Sequence, residues 1–252
     1  TIGGITAQDK VYDGTTAASV STAKASLAGL VSGDDVRVNA TGVFSDKDVG
    51  TNKTVTLNAN YAGADTGNYA IASQSTTTAS ITPKPLAING MTAHDKVYDG
   101  TTSATITGGS IVGAIGGDDV ALNTGALTGA FTDKNVGTGK AVTAAGAALS
   151  GGDSVNYTLT LPANLSATID PATLVYVAAP LTIRVGDPLT GFTGKVTGFA
   201  AGDSLANATN GSLTWASSAS SSNQIGRFAI DGGGLSATNY RFVQATDNAM
   251  AL

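Results

Sequence analysis

The residues of this chain best suited to chemistry are aspartates, and several of them come in pairs. Asp34-Asp35 and Asp118-Asp119 each follow a glycine, and paired carboxylates are what glycoside hydrolysis uses. That reaction needs its two carboxyl groups facing each other across a bond, roughly 5–9 Å apart, with one pKa raised. Neighbouring residues of a strand point to opposite faces of the sheet, so adjacent aspartates read instead as turn and capping residues. Asp46-Lys47-Asp48 and Asp133-Lys134-Asn135 space oxygen ligands at alternate positions, which raises calcium. Calcium takes about six to eight oxygens and an EF-hand loop closes on a Glu; here the lysine has the wrong charge and the chain contains no Glu. The expectation is an Asx-type turn leading into Val49-Gly50. With no cysteine and His94 as the single histidine, disulfides, cysteine-ligated metals, a cysteine nucleophile and a His-rich metal site are excluded. No cofactor, no metal and no catalytic residue is expected. A Lys–Asn isopeptide bond through Lys10 or Lys96 would require a buried lysine, asparagine and carboxylate together.

Aromatic residues are the other candidates. Tyr12 and Tyr98 each stand before an Asp-Gly pair and could stack on a sugar ring. The structural alternative is a core anchor whose hydroxyl is capped by a backbone group. Further along, Phe192, Phe199 and Trp215 are the residues that would line a glycan groove, although Trp215 also fits a sheet-buried indole.

The elements that must position these residues follow from composition. All 18 acidic residues are Asp, and 33 residues are Gly. Asp, Asn, Gly, Ser and Thr favour turns, caps and strands over helix interiors, so the expected class is all-β. The net charge of −5, with only 13 scattered Lys and Arg, argues against nucleic acid or an anionic membrane as partner. No apolar run approaches the roughly 18–20 residues of a membrane-spanning helix. The chain starts at Thr1 without a signal-like segment, and is expected to be a slice of something longer.

Self-comparison then fixes the organisation. Lys10-Val11-Tyr12-Asp13-Gly14-Thr15-Thr16 returns as Lys96-Val97-Tyr98-Asp99-Gly100-Thr101-Thr102. Gly33-Asp34-Asp35-Val36 returns as Gly117-Asp118-Asp119-Val120, and the segment from Gly42 to Thr51 returns from Gly129 to Thr138. Asn68-Tyr69 with Ile81-Thr82-Pro83 returns as Asn156-Tyr157 with Ile169-Asp170-Pro171. The offsets are 86, 84, 87 and 88 residues, so two homologous units occupy 1–84 and 85–171. A third unit, 172–252, lacks the Tyr-Asp-Gly element but has Gly202-Asp203 and Asn239-Tyr240 in the corresponding places. Pro83-Lys84-Pro85 and Pro171 mark short, stiff joints.

Alternating stretches such as Lys53–Ala59 and Val155–Leu161 read as strands, and Ala23–Leu30 as one short helical turn. Strands at roughly 8–12-residue spacing suggest an Ig-like sandwich or a β-grasp-like unit with at most one short helix. Three such units in series would make an elongated rod on the order of 90–120 Å long.

The Lys-Val-Tyr-Asp-Gly-Thr-Thr, Phe-x-Asp-Lys-x-Val-Gly-Thr and Asn-Tyr…Ile-x-Pro elements resemble the YDG repeat of large bacterial surface adhesins, including filamentous-haemagglutinin-like proteins exported by two-partner secretion. The third unit, through Val185-Gly186-Asp187-Pro188-Leu189-Thr190-Gly191 and Ala237-Thr238-Asn239-Tyr240, resembles the mostly bacterial Ig-like (MBG) type. The resemblance implies a monomeric, extracellular, non-enzymatic stalk segment of a cell-surface or biofilm matrix adhesin, whose partners are its neighbouring repeats. The alternative is that one unit, the third foremost, itself binds exopolysaccharide or another glycan. The missing disulfides suit passage across an outer membrane in an unfolded state.

Overall fold

The computed structural model describes all 252 residues, which form strands, turns and a single one-turn helix, Leu205–Ala208. The chain is all-β, built of three small β domains, as composition predicts. The helical turn expected at Ala23–Leu30 is absent. Ser26–Leu27 instead pairs antiparallel with Ile2–Gly3, setting Leu27 opposite Ile2. Packing of Leu27 against the core that holds Ile2 and Ile5 outweighs its local preference, and a single turn has little stability of its own.

Each of the first two repeats carries a five-stranded sheet. In the first, Lys10–Val11, Thr76–Thr82, Gly50–Ala62, Arg37–Phe44 and Ala17–Ala18 lie side by side in that order. The leading pair is parallel and the remaining neighbours are antiparallel. The second repeat reproduces order and direction with Lys96–Val97, Leu165–Asp170, Gly137–Ala145, Thr128–Phe131 and Ser103–Ala104. The period-two pattern explains which side chains go inward: Val55 and Leu57 are buried while Thr54 and Thr56 face out. In the second repeat the strand expected from Val155 begins only at Tyr157, because Ser154–Asn156 form a 3-10 turn. Pro83 alone separates Thr76–Thr82 from Lys84–Ala93, and Pro171 alone separates Leu165–Asp170 from Ala172–Ala178. Having no N–H to give, proline closes one ladder before the next opens.

The chain resolves into two compact bodies. One comprises residues 1–90, 109–125 and 147–161; the other comprises 91–108, 126–146 and 162–252. The first body holds the whole first repeat, and its core gathers Ile2, Ile5, Tyr12, Phe44, Val55 and Ile81 with Leu86 and Tyr157 of the second repeat. Within it Lys84–Ala87 runs parallel to Tyr157–Thr160, and Ala121–Asn123 pairs with Ala148–Ser150. The second body holds the five-stranded sheet of the second repeat and the third domain. There Ala172–Tyr176 runs parallel to Tyr240–Gln244, and Asn210–Ser217 pairs antiparallel with Ile230–Ser236. No helix is long and apolar enough to cross a membrane.

Gly14 and Gly100 turn the chain directly after the repeated Tyr-Asp, with φ of 75° and 81°. A Cβ at Gly14 would lie 3.3 Å from Ile115, and one at Gly100 would lie 3.3 Å from the Ala201 carbonyl oxygen. Alanine at either position should cost about 1–2 kcal/mol from the left-handed backbone alone. Thermal melting of the single variants checks this, and an unchanged Tm would show that the turn relaxes without loss.

Candidate functional site: a tyrosine clasp at each repeat joint

The Tyr-Asp-Gly element is a rigid knob. The Lys10 ammonium donates to Asp13 Oδ1 at 2.7 Å, to the Thr15 carbonyl at 2.7 Å and to the Ala17 carbonyl at 3.0 Å. It also lies 5.4 Å from the centre of the Phe44 ring. Asp13 accepts in turn from the Thr15 amide at 2.9 Å. Lys96, Asp99, Thr101 and Phe131 repeat the arrangement. The lysines considered for an isopeptide bond thus have a carboxylate and backbone carbonyls as partners. What the turn presents is Tyr12 in one body and Tyr98 in the other, both buried.

The socket belongs to the next domain. In the first body Asp118 Oδ2 accepts two tyrosyl hydroxyls, from Tyr12 at 2.8 Å and from Tyr157 at 2.6 Å. The two rings meet edge to face, 5.4 Å between centres and 77° between planes. The Ile115 amide donates to the Tyr157 hydroxyl at 3.0 Å and fixes its position. Lys47 closes the ring, donating to the Tyr12 hydroxyl at 3.1 Å and to Asp118 and Asp153 at 3.3 Å each. Beside it the Asn156 carboxamide docks like a strand, accepting from the Val49 amide at 2.9 Å and donating to Asp48 at 3.0 Å.

The second body builds the same clasp from Tyr98 and the third domain. Asp203 Oδ2 accepts from Tyr98 at 2.9 Å and from Tyr240 at 2.6 Å, with ring centres 5.2 Å apart. The Ala200 amide donates to the Tyr240 hydroxyl. Asn239 accepts from the Val136 amide and donates to Asn135, both at 3.0 Å. One partner is weaker: Lys134 stands 3.8 Å from Asp203, and Ser236 occupies the place that Asp153 holds three residues before the asparagine.

Charge follows geometry. The hydrogen bond from Tyr157, with those from Tyr12 and Lys47, holds the Asp118 carboxyl below the usual range although burial works against it; Tyr240 does the same for Asp203. Burial, then the bond to the carboxylate, pushes the Tyr157 and Tyr240 hydroxyls up to about 12 each. The bond to Tyr12, followed by that to Asp118, raises Lys47. A depressed carboxyl contributes stability that is present above its unfolded pKa of about 3.9 and lost as pH falls through its folded value. A raised tyrosine contributes fully below about pH 10 and loses that contribution as pH climbs toward 12. Tm should therefore be level from roughly pH 5 to 9 and fall on both sides. A pH series of melting curves checks it, and a Tm still rising above pH 10 would contradict the clasp.

The sequence-predicted residues are distributed as follows. Asp34-Asp35 and Asp118-Asp119 follow directly after a turn and precede a strand rather than lying within one, and Asp118 is an acceptor for the neighbouring repeat rather than a cap alone. The tyrosyl hydroxyls at 12 and 98 are bound by that carboxylate and its counterpart, not by backbone groups as expected. The Asx turns are present, with the Asp48 and Asn135 amides donating to Asp46 and Asp133 at 2.9 and 2.8 Å. His94 is exposed and contacts Thr107. Phe192 and Trp215 pack half-buried on the cluster of Ala178, Ile230 and Ala251, with Trp215 edge-on to Tyr176. A Cβ on Gly194 would come within 2.4 Å of that indole. Phe199 packs elsewhere, edge-on to Tyr240 beside the clasp. A cleft of the third domain, about 400 Å³, is lined instead by Leu181, Ile183, Arg184, Arg227, Phe228 and Leu252. No group of three or more His or Asp side chains is gathered to hold a metal ion.

Comparison with known families covers most of the chain. A family described as YDG domain matches residues 1–78 and again 82–167, and one described as MBG domain (YGX type) matches residues 174–250. Neither is an enzyme family, and both are consistent with adhesin-like, carbohydrate-binding or repeat proteins. No curated protein and no solved structure matches the chain.

Proposed function

Because the chain belongs to the YDG domain family, with two copies followed by an MBG domain, we propose that it is a non-catalytic spacer in a bacterial surface or biofilm matrix adhesin. It holds a distal adhesive region away from the cell, outside which it works as a monomer. The observation that carries this reading is the clasp. Each Tyr-Asp-Gly repeat gives its most buried tyrosine to a carboxylate of the following domain, so bending at that joint breaks hydrogen bonds among buried groups. A linker meant to flex would leave such groups in water. Small-angle scattering of the chain tests the spacer: a radius of gyration near 30 Å is expected, against about 18 Å for a globule of this length, and the smaller value would sink the reading.

A second reading has one observation in its favour. The cleft of the third domain joins two arginines to apolar walls, as a site for an anionic exopolysaccharide would. Calorimetric titration with acidic oligosaccharides separates the two: Arg184→Ala and Arg227→Ala should abolish any heat that belongs to this cleft. Absence of binding leaves the spacer.

A further inference from the structure

Three sockets exist in this chain, and two are filled. In the second repeat the socket is Asp118, Tyr157 and the Ile115 amide; in the third domain it is Asp203, Tyr240 and the Ala200 amide. The first repeat builds the same device. The Tyr69 hydroxyl donates to Asp34 Oδ2 at 2.5 Å and accepts from the Val31 amide at 3.0 Å. Asn68 stands where Asn156 and Asn239 stand, and Asp65 stands where Asp153 does. Asp65 also plays the same local part, accepting from the Asp35 amide as Asp153 accepts from that of Asp119, both at 2.9 Å.

What differs is cover. Tyr157 and Asn156 are 5% and 1% exposed, whereas Tyr69 is half-buried and Asn68 is exposed. Val31, at the position of the Ile115 that packs on Gly14, is 63% exposed. A tyrosine–aspartate pair oriented by a backbone amide, beside an asparagine with no strand to dock against, is complementary to one thing already present twice in the molecule.

We propose that this face of the first repeat is a docking socket for the Tyr-Asp-Gly knob of another YDG domain. The incoming tyrosine donates to Asp34, the lysine of its Asp-Lys element reaches Asp34 and Asp65, and the valine amide that follows binds Asn68. With Asp65 in place the joint is of the tighter kind seen at Asp118. A second copy of this chain is not the occupant, since both of its knobs are already engaged and its MBG domain has no Tyr-Asp-Gly element. The clasp is directional as a result. A YDG domain passes a knob to whatever follows it, and an MBG domain of this kind accepts one without passing one on.

The test is a chain extended by a copy of residues 1–86 placed directly before Thr1. This restores Lys84-Pro85-Leu86 ahead of Ile2 as they stand ahead of Ile88 with Ala87 between. Hydrogen exchange of the original Val31–Asp35 segment should slow by about tenfold or more relative to the unextended chain. A second extended chain, carrying Tyr12→Phe and Lys47→Met in the added copy only, should lose most of that protection while the downstream bodies melt unchanged. No protection in the first chain, or equal protection in both, would overturn the proposal.

Discussion

Replacing Asp118 with alanine should destabilise the first body by about 3–5 kcal/mol. The carboxylate is the shared acceptor of two tyrosyl hydroxyls and one ammonium, and its side chain is 7% exposed. Lys47 is 38% exposed, so the ion pair itself is worth little. Most of the cost comes from leaving two hydroxyls in a buried aromatic setting without an acceptor. Asp118→Asn keeps the shape and one acceptor oxygen, and should cost about 1–2 kcal/mol. Asp203→Ala strips the corresponding hydroxyls, of Tyr98 and Tyr240, in the second body; because the lysine contributes little in either clasp, its cost should match that of Asp118→Ala within about 0.5 kcal/mol. Calorimetry of the full chain is the measurement, with the two bodies analysed as separate transitions. Asp118→Ala should move one transition down by roughly 10–20 °C and leave the other in place. A shift equivalent to less than about 1 kcal/mol, or an equal shift of both transitions, would show that the clasp does not hold the joint.

Much of this arrangement was legible in the sequence, and what escaped did so for a physical reason. Repetition revealed the units, and period-two alternation revealed strands such as the one burying Val55 and Leu57, because both signals are local. The Asx turns at Asp46 and Asp133 were likewise local. The clasp is not: Tyr12 and Asp118 are 106 residues apart, and Tyr98 and Asp203 are 105 apart. Aligning the repeats pairs each residue with its equivalent, 84–88 positions on, and never sets the knob of one unit against the socket of the next. A signal was nevertheless present. The third domain keeps Gly-Asp and Asn-Tyr while dropping Tyr-Asp-Gly and Phe-x-Asp-Lys. Motifs that can be lost as one set and retained as another serve separable halves of a contact. The helix expected at Ala23–Leu30 failed for the opposite reason: alanine and leucine favour it locally, but burial of Leu27 against Ile2 decides otherwise.

Tyr12→Ala separates the two roles the sequence allowed that residue. A tyrosine that stacks on sugar stands in water, and its removal costs little stability. Tyr12 is 1% exposed, lies edge-on to Tyr157, and has the Lys47 ammonium 5.8 Å from its ring centre. Truncation should therefore cost about 3–5 kcal/mol, as for other large aromatic residues removed from a core. Tyr12→Phe should cost only about 1 kcal/mol, since Asp118 retains Tyr157 and Lys47. Combined with Asp118→Ala, Tyr12→Phe should be non-additive by at least about 0.5 kcal/mol, because both changes remove the same hydrogen bond. Hydrogen exchange localises the effect. The Val49 amide, bound to Asn156 across the joint, should open in Tyr12→Ala at a far lower free energy than the amides of Gly50–Ala62, whose partners lie within the first repeat's own sheet. If Tyr12→Ala melted within about 1 kcal/mol of the parent chain and abolished binding to a glycan the parent binds, the sugar platform would stand in place of the clasp.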